Sequence, residues 1–101
     1  MDGYKVLVTY NFLMHRELEY RRFMIQQWIP AMQALGLEPG EVLHTLWGDY
    51  PARMLVLYAR DYETLVNAVR GEEWQHWRQQ MRGYVRDLRY RIVPARPWLQ
   101  F

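Results

Sequence analysis

The run Met54-Leu55-Val56-Leu57-Tyr58-Ala59 presents no charged side chain to either side of whatever element it forms. It covers only about a third of a membrane span, so it reads as a β-strand with two apolar faces. Lys5 to Phe12 has the same character, with Val6, Val8, Tyr10 and Phe12 on one face and Leu7, Thr9 and Asn11 on the other. A third run, Glu41 to Trp47, sets Leu46 against Leu43 and Trp47. An antiparallel sheet with one wet face alternates apolar and polar residues instead, so a sheet made of these strands has to be covered on both sides.

Between and after these strands the period of the pattern changes. From about Arg16 to Leu35, Leu18, Ile25, Trp28, Met32 and Leu35 recur at helical spacing, and Gly36 supplies the stop. Pro30 lies inside this helix and predicts a kink or break, because its ring removes a hydrogen bond and clashes with the preceding turn. Glu38-Pro39-Gly40 reads as a turn. The runs Glu41 to Trp47 and Arg53 to Ala59 then form a hairpin around Gly48-Asp49-Tyr50-Pro51-Ala52. Asp61 caps a short helix carrying Tyr62, Leu65, Val66 and Val69, and Gly71 ends it. A second helix from Glu72 puts Trp74, Trp77, Met81 and either Tyr84 or Val85 on one stripe, with Glu72 and Glu73 at its positive end. From Asp87, Leu88, Tyr90 and Ile92 alternate with Arg89, Arg91 and Val93 as a last strand, until Pro94 and Pro97 stop the pairing.

The order is β-α-β-β-α-β, with the second helical region in two pieces, which predicts a ferredoxin-like α+β fold over residues 1–101 as a single domain. Two domains would leave each core too small to fold unaided. Both helical regions of such a fold pack on one face of a four-stranded antiparallel sheet. The other face is then bare and apolar, a patch that marks an interface, and dimerisation satisfies it. The chain has no cysteine, which excludes disulfides, thiolate metal sites and a thiol nucleophile. No basic-then-apolar leader follows Met1, so a cytoplasmic location is the expectation, with no membrane partner.

Together the order of elements, the proline in Trp28-Ile29-Pro30-Ala31-Met32, the Gly36 stop, the Gly48-centred hairpin and the helix opening Glu72-Glu73-Trp74-Gln75-His76-Trp77 resemble the dimeric α/β barrel superfamily. Within it, the segment from Ile29 to Val93 is most similar to NIPSNAP-like and antibiotic-biosynthesis-monooxygenase-like small proteins. The resemblance implies a homodimer whose sheets close into a barrel, with a cavity between sheet and helices in each subunit. Activities in the superfamily include cofactor-free oxidation of aromatic polyketides, haem degradation and muconolactone isomerisation, so membership fixes no reaction. The haem-degrading branch carries an Asn late on its first strand, here Asn11. Its haem-ligating histidine falls on Arg78, and neither haem nor any other cofactor is carried over.

His15, His44 and His76 lie on three elements without metal-ligand spacing, so no metal is expected. His44 shares a strand face with Val42 and Leu46 and is polar on an apolar surface. The candidate catalytic set is His44, Asn11 and Tyr58: Asn11, with Thr9, holds a substrate oxygen while His44 or Tyr58 moves a proton. Thr9, Trp47, Trp74, His76 and Trp77 are the candidate ligand-binding residues, the tryptophans reading equally as core mass. Residues 1–73 hold 7 basic and 10 acidic groups, and residues 74–101 hold 6 and 1. Arg78, Arg82 and Arg86 recur every fourth residue, as a solvated helix stripe or as a phosphate-binding one. The strands lack the basic-aromatic signature of RNA-recognition domains, and the net charge is only +2, so nucleic acid is not the expected partner. The expectation is a homodimer that binds a small apolar or aromatic molecule, as a cofactor-free monooxygenase-like or isomerase-like enzyme. The alternatives are a non-catalytic dimeric interaction module and, after it, an RNA-binding domain.

Overall fold

A computed structural model describes residues 3–13, 15–44 and 53–95, the side chains of 44 and 95 excepted. Strand β1 (Gly3–Phe12) leads into a helical stretch made of α1 (Glu17–Phe23), a π-helical segment (Met24–Trp28) and α2 (Ile29–Ala34). Then follow β2 (Glu38–His44), β3 (Arg53–Ala59), α3 (Tyr62–Arg70), α4 (Glu72–Met81) and β4 (Val85–Ala95). The strands form one antiparallel sheet in the order β2-β3-β1-β4, with the helices on one face. This is the expected ferredoxin-like α+β fold.

Val6, Val8 and Tyr10 of β1 and Leu55 and Leu57 of β3 point toward the helices and are buried. From the helices they meet Tyr20, Phe23, Met24, Trp28, Met32, Leu65, Trp74 and Met81. Met24, Trp28 and Met32 follow a spacing of four, which defines the inward stripe. Leu18 and Ile25, expected on that stripe, are 59% and 71% exposed. The π segment explains the difference. Its wider turn is closed by the Ile29 amide donating to the Met24 carbonyl, five residues back, and rotates the side chains that follow relative to those before. The same widening serves Pro30, whose ring would otherwise meet the Gln26 carbonyl, so the helix is irregular one turn ahead of the proline and is not interrupted.

The helix stops where expected. Gly36 has φ +87°, the Leu37 amide reaches the Met32 carbonyl at 2.9 Å and the Gly36 amide the Gln33 carbonyl at 3.0 Å, a Schellman closure that favours glycine. Asp61 caps α3 by accepting from the Thr64 amide at 2.7 Å.

Three boundaries differ from the sequence reading. Glu38-Pro39-Gly40 is not a turn: it opens β2, with Glu38 opposite Tyr58 and a bulge between Pro39 and Val42. An edge strand tolerates the proline because one side of its backbone has no partner. At the other edge, Pro94 does not stop β4, since it sits opposite Tyr4 and the strand runs to Ala95. β4 also begins at Val85, two residues before the visible alternation. Between Thr9 and Asn11 the register slips, and Asp87 takes φ +57°. This bulge shifts the alternation and hides the start of the strand. The tip of the β2–β3 hairpin, with Leu46 and Gly48, lies outside the described residues.

Candidate functional site

Register assigns the sheet face turned away from the helices. Lys5, Leu7 and Thr9 of β1 stand opposite Tyr58, Val56 and Met54 of β3, and opposite Val93, Arg91 and Arg89 of β4. Leu43, opposite Met54, extends the face onto β2 and is 48% exposed. Val56 is only 3% exposed, although it lies outside the helix-side core. The face is therefore apolar at its centre, as the double-sided strands required, with basic side chains along β4. A cavity of about 410 Å³ lies here, lined by Leu7, Thr9, Met54, Arg89, Tyr90 and Arg91. Thr9 is thus the sequence-derived candidate that lines a cavity on this face.

Tyr58 is on the same face but further along. Its hydroxyl donates to Glu41 Oε1 at 2.5 Å. This bond, then partial burial, then the Glu41 charge push the Tyr58 hydroxyl up to about 12. In return the hydroxyl holds the Glu41 carboxyl below its usual range. Tyr58 is consequently a proton holder near neutrality, and Glu41 a carboxylate. Asn11 lies at the opposite end of β1, where its Nδ2 donates to Asp87 Oδ2 at 3.1 Å across the bulge. Tyr58 is opposite Lys5, six residues from Asn11 along the strand, a separation of about 20 Å. One small molecule does not span the two. His44 is opposite Arg53, and its side chain lies outside the described residues, as does Trp47 altogether.

The remaining candidates are on the helix side. Trp74 is buried in the core with its ring edge-on to Tyr90 at 5.1 Å, and Trp77 is half-buried near Phe23. His76 is exposed and lies edge-on to Trp77 at 5.0 Å. The sheet separates these three from Thr9. Where the resemblance implies a cavity between sheet and helices, Tyr10, Trp28, Met32 and Trp74 pack with 0–1% exposure. Tyr10 and Tyr20 bond to each other through their hydroxyls there. Burial first, and Tyr20 second, push the Tyr10 hydroxyl far above its ordinary value, so it stays protonated. A second, wide-open cavity of about 630 Å³ lies beside the end of α2, where the candidate Tyr58 lines it together with Gln33, Glu38, Arg60 and Thr64.

The expected arginine stripe is broken up. Arg86 belongs to β4, and Arg78 is half-buried with its guanidinium carbon 4.8 Å from the Tyr90 ring centre. Arg53 stacks in the same way on Phe12 at 4.7 Å and Arg16 on Tyr84 at 4.9 Å. Planar, weakly hydrated guanidinium groups suit aromatic faces, a physical use for a composition of 12 Arg to one Lys. In sequence Arg89 and Arg91 read only as one face of the last strand within a candidate phosphate-binding stripe, not as part of the small-molecule site. Strand alternation puts them on the face of Leu7 and Met54, but only the pairing of β1 with β4 brings them together. Among the described residues there is no group of acidic and histidine side chains able to hold a metal ion. No helix among them is long and apolar enough to cross a membrane.

No protein-family model matches the chain, and no curated protein matches it in sequence. Solved structures do match in fold. SnoaB, a cofactor-independent oxygenase from Streptomyces nogalater, superposes with a TM-score of 0.70 over 100% of both chains at 11% identity. An EthD family protein from Bacillus halodurans gives 0.68 over 95% of this chain and 100% of its own, at 17% identity. An uncharacterised NIPSNAP domain protein from Burkholderia xenovorans gives 0.67 over 97% and 99%, at 9% identity. The chain thus has the ferredoxin-like fold that SnoaB and the NIPSNAP protein also have, the fold the sequence resemblance implied.

Proposed function

We propose that this chain forms a homodimer through the open face of its sheet, and that the covered face holds a small, largely apolar or aromatic molecule. The observation that carries this reading is the face itself, with Leu7, Met54 and Val56 at its centre, Leu43 beside them on β2, and a cavity bordered by Leu7 and Met54. A stable interface needs about 800 Å² per partner, and a four-stranded sheet face is of that size. Leaving such a surface in water is costly. SnoaB is an oxygenase without a cofactor, and oxygenase-like or isomerase-like chemistry remains part of the proposal. The separation of Asn11 from Tyr58 argues against their acting on one substrate.

Sedimentation equilibrium tests the dimer, and a monomer at micromolar concentration removes the reading. Thermal melting with a panel of aromatic and aliphatic molecules tests the binding. The dense packing between sheet and helices favours a second reading, a non-catalytic interaction module in which dimerisation is itself the function. A stable dimer that none of the panel stabilises selects that reading.

A further inference from the structure

Arg89 and Arg91 stand two residues apart on one face of β4, which separates their Cα atoms by about 7 Å. Both are exposed, and neither forms an ion pair with a described carboxylate. The cavity they border has a floor of Leu7, Thr9 and Met54 and contains no acidic residue. A second copy laid over this face would take water from both guanidinium groups, and burying charge without a counter-charge is strongly unfavourable. No described carboxylate of the same subunit stands at the wall of the cavity, and its floor offers apolar contact. Guanidinium groups satisfy a carboxylate with paired, charge-assisted hydrogen bonds, and two of them this close can share one. A cavity of about 410 Å³ suits a small organic acid and falls within the range of ligand sites.

We propose that the molecule held on the open face is an amphipathic carboxylate, an aromatic or short aliphatic acid. Its carboxylate lies between Arg89 and Arg91, its apolar body rests on Leu7 and Met54, and the Thr9 hydroxyl is available as a neutral donor. The proposal rests on the homodimeric ligand-binding reading and adds the class of ligand.

The experiment is calorimetric titration of the full chain at physiological salt with 2-naphthoate and with its neutral counterpart 2-naphthamide. The parent is expected to bind naphthoate about tenfold or more tightly than naphthamide. Arg89→Gln/Arg91→Gln is expected to lose that advantage while binding naphthamide as the parent does, with sedimentation and melting confirming a folded dimer. If that variant does not fold, Arg89→Lys/Arg91→Lys replaces it. That variant keeps the charge and loses the paired geometry, so a partial loss for naphthoate alone is expected. Equal affinity of the parent for both probes, or unchanged naphthoate binding by the variants, overturns the carboxylate and leaves the binding reading standing. A dimer that takes up neither probe overturns the inference together with ligand binding.

Discussion

The aromatic ring of Tyr58 lies across Gly40, so close that a Cβ at residue 40 would fall 2.8 Å from the ring's Cδ2 and nearer still to Cε2. The β2 bulge brings them together, and it also sets Glu41 where the Tyr58 hydroxyl reaches it. Gly40→Ala is therefore expected to force the ring aside and to destabilise the fold by about 1–3 kcal/mol, as overpacking does. In a Tyr58→Ala background the same substitution should cost almost nothing further. Urea unfolding of the four proteins of this cycle measures the coupling, and simple additivity would show that ring and glycine do not meet.

Tyr58 should also be visible in an alkaline titration. Its hydroxyl is pushed up to about 12, so its tyrosinate absorbance should appear well above the reference tyrosine value of about 10. A group with a raised folded-state pKa contributes stability below its unfolded value and loses it as pH climbs toward the folded one. The Tyr58–Glu41 bond should thus weaken between about pH 10 and 12. The lowered Glu41 pKa works at the other end, its contribution fading as pH falls below the ordinary carboxylate range. Tyr58→Phe should remove the absorbance step near pH 12, which comes ahead of the still later Tyr10, and an unchanged curve would place that step elsewhere.

The buried Tyr10 and Tyr20 hydroxyls satisfy each other, so removing either one strands the other. Tyr10→Phe and Tyr20→Phe are each expected to cost about 1–3 kcal/mol, the penalty of an unpaired buried hydroxyl. The double variant should cost less than the sum, since no polar group is then left over. Denaturant melts of all four proteins check this.

Asp87 holds a left-handed backbone conformation at φ +57° and accepts from Asn11. Asp87→Ala loses the bond and keeps the strain, and should destabilise by about 1–2 kcal/mol. Asp87→Gly loses the bond but relieves the strain, and should lie closer to the parent in thermal melting. If alanine melts above glycine, the bulge does not control this end of the sheet.

The periodicities of β1, β3 and α4 were legible because each is a single regular run with apolar residues at its inward positions, apart from the ring-stacked Arg53 and Arg78. The long helix was legible in extent but not in facing: the π segment changes the step between Phe23 and Trp28, and a fixed period carried through it assigns Leu18 and Ile25 to the wrong side. Irregular pairing hid Glu38-Pro39-Gly40 and Val85-Arg86, since bulges at both edges break the two-residue rhythm that marks a strand. For the candidate site, Thr9 was readable from its strand. Arg89, Arg91 and Glu41 were not, because each acquires meaning only through a neighbour that register supplies: Leu7 and Met54 for the arginines, Tyr58 for the carboxylate.

The π segment from Met24 to Trp28 amounts to one residue more than a regular helix needs to cross the same stretch of sheet. Taking one residue out, Gln26 for instance, would let the helix close its ordinary bonds and keep Trp28 and Met32 in line with Tyr20 and Phe23. Pro30 would then be set against a carbonyl with no slack ahead of it. The surplus residue and the proline are thus a matched pair, each tolerable because of the other. A shorter relative with a regular helix should have another residue where this chain has Pro30.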